Sequence, residues 1–214
     1  MTQKFKGSYV ELSQVVENVK QFYDAADTRA WNTGMAWYEN AYLAAMEMGL
    51  GHGASIEQAC GIIAAFSPQC DWDLNLQYAE QFLKTGTTGR TGAQLSKARE
   101  VLKLETAQDI RAALSTTDDG APKVKAFFDC IYDPWCDSVV IDRHAIACGL
   151  QQPASVGVLA VNMQSITLAQ YNFLARAYTK VADMVGIRPN QMQAICWESY
   201  RALRKLRHHK MQAA

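Results

Sequence analysis

Apolar side chains recur three and four residues apart along most of the chain, which is the spacing that buries one face of a helix. Residues 1–11 lack this pattern and are predicted to form a loose arm. No stretch alternates between apolar and polar positions for long enough to build a sheet. With a short helix after Asp142, the pattern predicts an all-α fold of about ten helices. The other predicted helices begin at Leu12 and lie at about 30–48, 55–66, 74–82, 93–103, 106–115, 123–132 and 166–185, with a last one from Pro189.

Several helix ends are marked by residue type. Ser55 begins a capping-box pattern ahead of the third helix. Gly186 and Pro189 separate the last two helices, because glycine readily ends a helix and proline suits the first turn of the next. The glycine-rich stretch 85–92 is too short to link independent domains. We therefore predict a single globular domain over residues 1–214.

The charge balance argues against a general attraction to nucleic acid. Basic and acidic residues each number 21, so the formal net charge is zero. A surface that binds nucleic acid would therefore have to be local. The basic stretch 201–210, which includes Arg204 and Lys205, is one candidate. A run of this kind is also typical of a solvated helix face.

No apolar run approaches the roughly 20 residues that a bilayer-spanning helix needs, and the N-terminus lacks the apolar core of a signal peptide. We therefore expect a cytoplasmic protein with no membrane partner. The six cysteines have no C-x-x-C spacing, which favours buried cytosolic thiols. A metal or iron–sulfur site built from Cys130, Cys136 and Cys148 is the alternative. The prediction is that the protein uses no cofactor and no metal.

A helix, a short Gly-containing turn and a second helix follow one another over residues 114–128. This order is typical of a helix-hairpin-helix, in which backbone N–H groups and the positive end of the second helix face a phosphate. Gly120 would form the turn, and Lys123 and Lys125 would add positive charge beside the phosphate. An ordinary pair of antiparallel helices with solvated lysines is the alternative.

Asp142 ends the run Ser138–Ile141, whose β-branched residues are expected to be buried. A carboxylate at this point is either a helix N-cap, which stabilises by about 1 kcal/mol, or a reactive group in apolar surroundings. The two roles are compatible. Arg143 and His144 follow directly, and we predict Asp142 and His144 as catalytic residues.

The polar segment between the third and fourth helices carries residue types that contact DNA bases. Gln69 and Asn75 can fill a gap in a base stack or bind base edges. Trp72, and Trp135 further along the chain, could stack on an extruded base. Each tryptophan is also a usual core residue, and a capped helix start is the alternative for the segment as a whole.

Three segments resemble, in the right order, the motifs of the helix-hairpin-helix DNA glycosylases of the endonuclease III superfamily. Ala64–Asn75 is similar to that family's Leu-Ser-x-Gln-x-x-Asp-x-x-x-Asn, with a one-residue slip. Gly120–Ala126 is similar to Gly-x-Gly-x-Lys-x-Ala, and Val140–His144 is similar to Val-Asp-Thr-His. The spacing between the last two segments matches without a gap. The resemblance covers about residues 55–205, with the helices of 12–50 packed on this region.

The resemblance implies a glycosylase-like fold in which Asp142 is the catalytic aspartate, Gln69 enters the DNA helix and Gly120 is the first hairpin glycine. The chain departs from the family at three points. Pro122 replaces the second hairpin glycine, Val124 stands at the position of the lysine nucleophile, and the four-cysteine iron–sulfur pattern is absent. Without that nucleophile, the chain resembles monofunctional members, in which the aspartate alone assists attack by water.

The predicted function is therefore a base-flipping DNA glycosylase that hydrolyses an N-glycosidic bond, a reaction of DNA repair. A second reading keeps the fold but modifies a base without excising it, as is thought for some viral glycosylase-like proteins, thymine hypermodification included. In that reading Asp142 and His144 form a general acid/base pair. A third reading is a non-catalytic DNA- or partner-binding protein. The predicted partner is DNA, held through its backbone by the hairpin, Arg143 and the basic end of the last helix.

Overall fold

The computed structural model describes residues 1–117, 120–155 and 166–212, with side chains as far as Leu206. Within these ranges a two-stranded hairpin precedes ten α-helices, which confirms the predominantly helical fold. A 3₁₀ turn, Pro153–Ser155, follows the eighth helix. The strands are β1 (Thr2–Phe5) and β2 (Ser8–Glu11), and the helices are α1 (Leu12–Asp24), α2 (Thr28–His52), α3 (Ile56–Phe66), α4 (Trp72–Thr85), α5 (Gly92–Val101), α6 (Ala107–Ala113), α7 (Pro122–Tyr132), α8 (Arg143–Leu150), α9 (Leu168–Val185) and α10 (Pro189–Gln212).

Local capping signals set several helix ends close to their predicted positions. The Ser55 hydroxyl accepts the N–H of Gln58 at 3.2 Å, and the Gln58 side chain accepts the N–H of Ser55 at 3.0 Å. The capping box predicted ahead of α3 is therefore present. Gly186 ends α9 in the left-handed conformation, with φ of 73°, and Pro189 begins α10.

Residues 1–11, predicted as a loose arm, form the antiparallel β1–β2 hairpin. Lys6 and Gly7 join the strands with φ of 43° and 91°, and positive φ at both turn residues suits a two-residue hairpin. Phe5 is buried, and its ring centroid lies 6.0 Å from that of Phe173. The prediction was wrong because two strands of four residues are too short for their alternation to be recognised.

The chain divides into two compact units. Unit 1 comprises Met1–Trp37 together with Asp137–Ala214, and unit 2 comprises Tyr38–Cys136. Helix α2 contributes residues to both units. The glycine-rich stretch 85–92 lies inside unit 2 rather than at a boundary. The single domain expected over the whole chain stays a prediction.

In unit 1, α1, α8, α9 and α10 contact one another and share a core. Phe22, Tyr178 and Met192, from three of these helices, are among the largest fully buried side chains. Helix α2 begins in this unit, and there Gly34 lies against α10. A Cβ atom at Gly34 would lie 2.5 Å from the Cα of Ile195, so the close approach of the two helices requires glycine.

In unit 2, α3 is the central helix, and α4, α5, α6 and α7 each contact it. Every residue from Ala59 to Phe66 is buried, as its apolar sequence predicts. Gly61 allows α5 and α6 to approach closely, because a Cβ atom there would lie 2.9 Å from Val101 and 2.6 Å from Ile110. This buried helix anchors the loop that follows it.

Candidate active site

A buried tyrosine holds the apolar run that precedes α8. Val139, Val140 and Ile141 are each 5% exposed or less, as predicted for this run. The Tyr171 hydroxyl of α9 donates to the carbonyl of Val139 at 2.7 Å and accepts the N–H of Ile141 at 3.2 Å. This bridge fixes the backbone where the run ends, and so gives Asp142 a defined position.

Asp142 caps α8, which is the structural role predicted for it. Its Oδ1 accepts the backbone N–H groups of His144 at 2.9 Å and Ala145 at 2.8 Å. The residue has the extended backbone of an N-cap, with φ of −94° and ψ of −176°. The side chain remains 18% exposed. Capping therefore occupies one carboxylate oxygen, Oδ1.

The second oxygen of Asp142 faces the neighbouring imidazole. Oδ2 lies 3.1 Å from Nδ1 of His144, and the indole Nε1 of Trp197 lies 3.0 Å from the same ring nitrogen. The far nitrogen, Nε2, has no hydrogen-bond partner among the residues that the structure describes. A carboxylate–imidazole pair with one open ring nitrogen can donate or accept a proton.

Aromatic rings from α10 surround the imidazole. The ring centroid of Tyr200 lies 5.5 Å from that of His144, and the ring centroid of Trp197 lies 5.9 Å from it, both in T-shaped arrangements. The Arg201 guanidinium lies 4.4 Å from the centroid of Trp197, within the range of a cation–π contact. Two aromatic rings therefore lie against the imidazole of the pair. One of them, Trp197, also contacts the positively charged Arg201.

Two arginines lie close enough to Tyr200 for their charges to act on its hydroxyl. Burial raises the pKa of Tyr200, and the charges of Arg204 and Arg143 oppose that shift. These two arginines and Lys205 are exposed. The side chains of residues 207–210, the end of the predicted basic stretch, lie outside the described residues. The described part supplies a local positive surface on a chain of zero net charge.

Two neutral groups lie in the core beneath α8. The Tyr178 hydroxyl donates to the carbonyl of Ala145 at 2.9 Å. Burial raises the pKa of Tyr178 and that of Cys148 well above their ordinary values. Both groups are therefore protonated at neutral pH, and neither adds a charge that competes with the Asp142 carboxylate.

In unit 2, the loop between α3 and α4 presents Gln69 to solvent. Gln69 is exposed and has φ of 55°, a conformation that costs energy for a residue with a side chain. The Arg90 guanidinium donates to the carbonyl of Pro68, and the Gln94 amide nitrogen lies 3.4 Å from the same oxygen. Arg90 also lies over the ring of Tyr78 at 5.4 Å. These contacts hold the loop from which Gln69 projects.

The other residues of unit 2 predicted to contact bases differ in exposure. Trp72 is half-buried, with its ring centroid 6.4 Å from that of Phe127. Asn75 is 2% exposed, and its amide donates to the carbonyl of Ile63 at 3.0 Å. That bond gives Asn75 a structural role between α4 and α3, while its contact with DNA stays a prediction. Trp135, after α7, is 60% exposed.

The turn between α6 and α7 depends on Gly120. A Cβ atom there would lie 2.2 Å from the Ser115 hydroxyl oxygen and 2.5 Å from that of Thr117. Pro122 occupies the first turn of α7, where its missing N–H has no helical partner to lose. Residues 118 and 119 of the predicted hairpin lie outside the described residues.

The two lysines predicted to bind phosphate have different environments. Lys123 is half-buried, whereas Lys125 is 6% exposed and its Nζ lies 3.3 Å from the carbonyl of Thr117. The Nζ of Lys97 reaches the carbonyl of Leu114 at 2.8 Å. Lys125 and Lys97 therefore hold the turn from within unit 2, and Lys123 is the more accessible of the predicted pair.

Among the predicted site residues, Asp142 and His144 are in direct contact. The hairpin residues and Gln69 belong to unit 2, whereas this pair belongs to unit 1. Sequence reasoning missed Trp197, Tyr200 and Tyr171. The first two lie three residues apart on the helix that ends in the basic stretch, a spacing that puts them on one helix face. No sequence signal linked that face to the distant Asp142.

Metal-binding groups and membrane-spanning helices were sought among the described residues. No group of three or more His, Cys, Asp or Glu side chains there is placed to hold a metal ion. None of the described helices combines the length and apolar character needed to cross a lipid bilayer.

The six cysteines are free thiols. The predicted burial is confirmed for four of them, namely Cys60, Cys130, Cys148 and Cys196.

The chain belongs to a family of unknown function, DUF7178, whose model matches residues 1–204. The matched range includes the whole of unit 2 and the Asp142–His144 pair. No curated protein and no solved structure matches the chain. Its function is therefore argued from the chemistry of its own residues.

Proposed function

We propose that this protein is a base-flipping enzyme that acts on DNA, has a helix-hairpin-helix glycosylase-like fold and hydrolyses an N-glycosidic bond. The observation that carries the proposal is the Asp142–His144 pair. One carboxylate oxygen is fixed by the first N–H groups of α8, and the other faces an imidazole whose far nitrogen is open. The segment that carries this pair is also the one that resembles the aspartate motif of those glycosylases.

The proposed roles of unit 2 are to grip the DNA backbone and fill the gap that a flipped base leaves. In the described residues no side chain caps the start of α7. Pro122 has no N–H, and the N–H of Val124 donates to the carbonyl of Ala121 at 3.0 Å, so the backbone N–H of Lys123 is the group proposed to face a phosphate oxygen. The Lys123 side chain adds a positive charge beside it. Extruding a base costs a few kcal/mol, and the exposed Gln69 is the residue proposed to occupy the space. Trp135 is proposed to stack on a base.

In unit 1, the carboxylate carries the chemistry. Breaking the glycosidic bond develops positive charge on the sugar, which the negative charge of Asp142 would stabilise. Since Oδ1 is committed to the helix, Oδ2 is the oxygen assigned to this role. Its contact with His144 also orients the imidazole, so that Nε2 can take a proton from the attacking water. Arg143, Arg204 and Lys205 are proposed to hold the backbone near this site.

A second candidate function is modification of a base without excision. The contact between Asp142 and His144 favours it, because a carboxylate that orients an imidazole forms a general acid/base pair suited to more than one reaction. Val124, at the position of the lysine nucleophile, is 8% exposed and cannot form a Schiff base. Neither candidate therefore uses a lysine nucleophile at this position.

The deciding experiment is a mass-spectrometric screen of oligonucleotides that carry modified and damaged bases. Release of a free base supports the glycosylase, a mass shift in the intact strand supports modification, and binding without either change supports a non-catalytic protein. Asp142→Asn is expected to abolish turnover and retain binding. Asp137→Asn, an exposed aspartate in the same unit, is the matched control and is expected to react like the wild type.

Borohydride trapping tests the assignment of Val124. An enzyme with a lysine nucleophile forms an imine with the sugar, which borohydride reduces to a stable adduct. The wild-type protein is expected to give no adduct with any oligonucleotide that it processes. A trapped adduct in the wild-type protein would contradict the alignment of Val124 with the nucleophile position.

A further inference from the structure

We infer that Trp197 is a positioning residue for His144: it competes with Asp142 for one ring nitrogen and so selects which nitrogen of the imidazole carries the proton. As an account of catalysis, the inference rests on the proposed function. As a statement about the imidazole, it is tested without any substrate.

The inference follows from three groups that meet at one atom. Nδ1 of His144 has a single in-plane site, which holds either a hydrogen or a lone pair. The indole N–H of Trp197, 3.0 Å away, is only a donor, whereas the ionised carboxylate of Asp142, 3.1 Å away, is only an acceptor. The bond from Trp197 requires the lone pair, and the bond to Asp142 requires the hydrogen. The two bonds are therefore alternatives.

The two alternatives correspond to the two tautomers of neutral His144. With the proton on Nδ1, the ring donates to Asp142, and Nε2 carries a lone pair that can accept a proton. With the proton on Nε2, the ring accepts from Trp197, and Nε2 is a donor. The competition at Nδ1 thus decides whether the open nitrogen takes or gives a proton.

The contacts around the ring indicate which alternative prevails. A hydrogen bond to an ionised group is about twice as strong as a neutral one, so Asp142 favours the proton on Nδ1 and Trp197 weakens that preference. The indole is itself held, because Arg201 lies over its ring at 4.4 Å and the ring of Trp37 lies 6.1 Å away. The ionisable groups near the pair are Cys148 and Tyr178 in the core, on which the charge of Asp142 acts, and Tyr200 on α10, whose ring contacts His144. Arg143 and Arg204 act on Tyr200.

The experiment is nitrogen NMR of histidine-labelled protein, which distinguishes the two tautomers. The chain has four histidines, so His144→Gln assigns the signal. In Trp197→Phe, the ratio of Nδ1–H to Nε2–H is expected to rise about fivefold, the equivalent of one neutral hydrogen bond. An unchanged ratio in the folded variant overturns the inference.

Asp142→Asn is expected to move the ratio in the opposite direction. The two backbone N–H groups that bind Oδ1 require an oxygen, so the asparagine carbonyl takes the capping position and its NH₂ group faces Nδ1. Both neighbours of Nδ1 are then donors, and the proton is expected on Nε2, with the ratio falling more than fivefold. A shift in the same direction as in Trp197→Phe overturns the inference.

Trp31→Phe is the matched control. It removes another indole donor of unit 1, whose Nε1 lies 3.4 Å from the hydroxyl of Tyr23, and it is expected to leave the ratio unchanged. The wild-type protein gives a second reading if Trp197→Phe does not fold. Its Trp197 indole N–H signal is compared with that of Asp142→Asn, in which the lone pair at Nδ1 of His144 is expected to strengthen the bond from the indole and move this signal downfield. An indole signal that does not move overturns the inference. If the tautomer ratio shifts as expected but the wild-type protein turns over no oligonucleotide, the proposed function is refuted and the inference about Trp197 stands.

Discussion

Asp142 contacts His144 twice: Oδ1 accepts its backbone N–H at 2.9 Å, and Oδ2 lies 3.1 Å from its ring Nδ1. A single carboxylate therefore begins a helix and orients an imidazole. Capping needs an oxygen at the position of Oδ1, whereas orienting the imidazole needs a negative charge at the position of Oδ2. A substitution that keeps the capping oxygen but removes the charge can separate these two roles.

Asp142→Ala is expected to lower the free energy of unfolding by about 1 kcal/mol, because α8 loses its N-cap. Asp142→Asn is expected to stay within a few tenths of a kcal/mol of the wild type, because asparagine caps about as well as aspartate. Urea denaturation followed by circular dichroism measures both. Equal destabilisation in the two variants would show that the charge, not the capping oxygen, stabilises the helix.

Lys123→Ala is expected to affect DNA binding, whereas Lys125→Ala is expected to affect stability. Lys123→Ala should weaken binding to a DNA duplex and reduce the salt dependence of binding by about one phosphate contact, with stability changed by roughly 0.5 kcal/mol or less. Lys125→Ala should lower the free energy of unfolding by roughly 1–3 kcal/mol, because the hydrogen bond of the buried Lys125 ammonium group to the carbonyl of Thr117 is lost; that carbonyl keeps the N–H of Gly120 at 3.0 Å. Fluorescence anisotropy at several salt concentrations and urea denaturation test the pair. Identical effects on binding would contradict the distinction.

Replacing two glycines of α2 by alanine is expected to change stability in opposite directions. Gly34→Ala places a Cβ atom 2.5 Å from the backbone of Ile195, and such overpacking typically costs roughly 1–3 kcal/mol. Gly51→Ala meets nothing within 4 Å and is expected to stabilise by up to about 1 kcal/mol, because alanine favours a helix. Thermal unfolding measures both. A Gly34→Ala protein as stable as the wild type would show that the two helices can separate without loss.

Thiol reactivity should follow burial. Cys70 and Cys136 are half-buried, and the other four cysteines are buried. Burial raises the pKa of Cys60 to about 12 and raises those of Cys148 and Cys196, and only the thiolate reacts. Iodoacetamide at pH 8 is therefore expected to label Cys70 and Cys136 in the native protein and all six cysteines in urea. Peptide mass spectrometry reads the sites, and rapid native labelling of Cys148 would contradict the prediction.

The raised pKa values of the buried thiols make the free energy of unfolding depend on pH. Unfolding returns Cys60 to its ordinary pKa of 9.0, whereas its pKa in the folded protein is about 12. The unfolded state therefore loses its proton first, and the stabilisation, complete below pH 9, is lost as pH rises toward 12. Cys196 acts in the same direction. Urea denaturation between pH 8 and 11 is expected to show a falling free energy of unfolding, and Cys60→Ala is expected to flatten the decline.

The sequence predicted the helices because their signals are local. The capping box at Ser55 and the glycine at the end of α9 act within one turn, so they can be recognised without knowledge of the fold. The hairpin of residues 1–11 was missed because its strands have only four residues each, and because the contact of Phe5 with Phe173 joins residues more than 160 positions apart. Contact at that distance along the chain leaves no local pattern.

The candidate site shows the same division. Asp142 as an N-cap is a local feature and was predicted. Trp197 comes to Nδ1 of His144 from another helix, and its role depends on how α10 contacts α8. The burial of Lys125 beside the half-buried Lys123 likewise depends on which side of α7 faces α3. These outcomes follow from packing, which neither composition nor motif spacing specifies.

Unit 2 is one continuous stretch of chain, whereas unit 1 is assembled from both ends of the sequence. Synthesis proceeds from the N-terminus, and compact units generally fold as they emerge. Helix α1 is therefore made before unit 2, but it contacts α8, α9 and α10, its partners in unit 1, only after unit 2 has been synthesised. Because Trp197 and Tyr200 lie on α10, the surroundings of Asp142 and His144 are completed only after α10 has been synthesised. A chain released before α10 would carry unit 2 without the aromatic surroundings of Asp142 and His144.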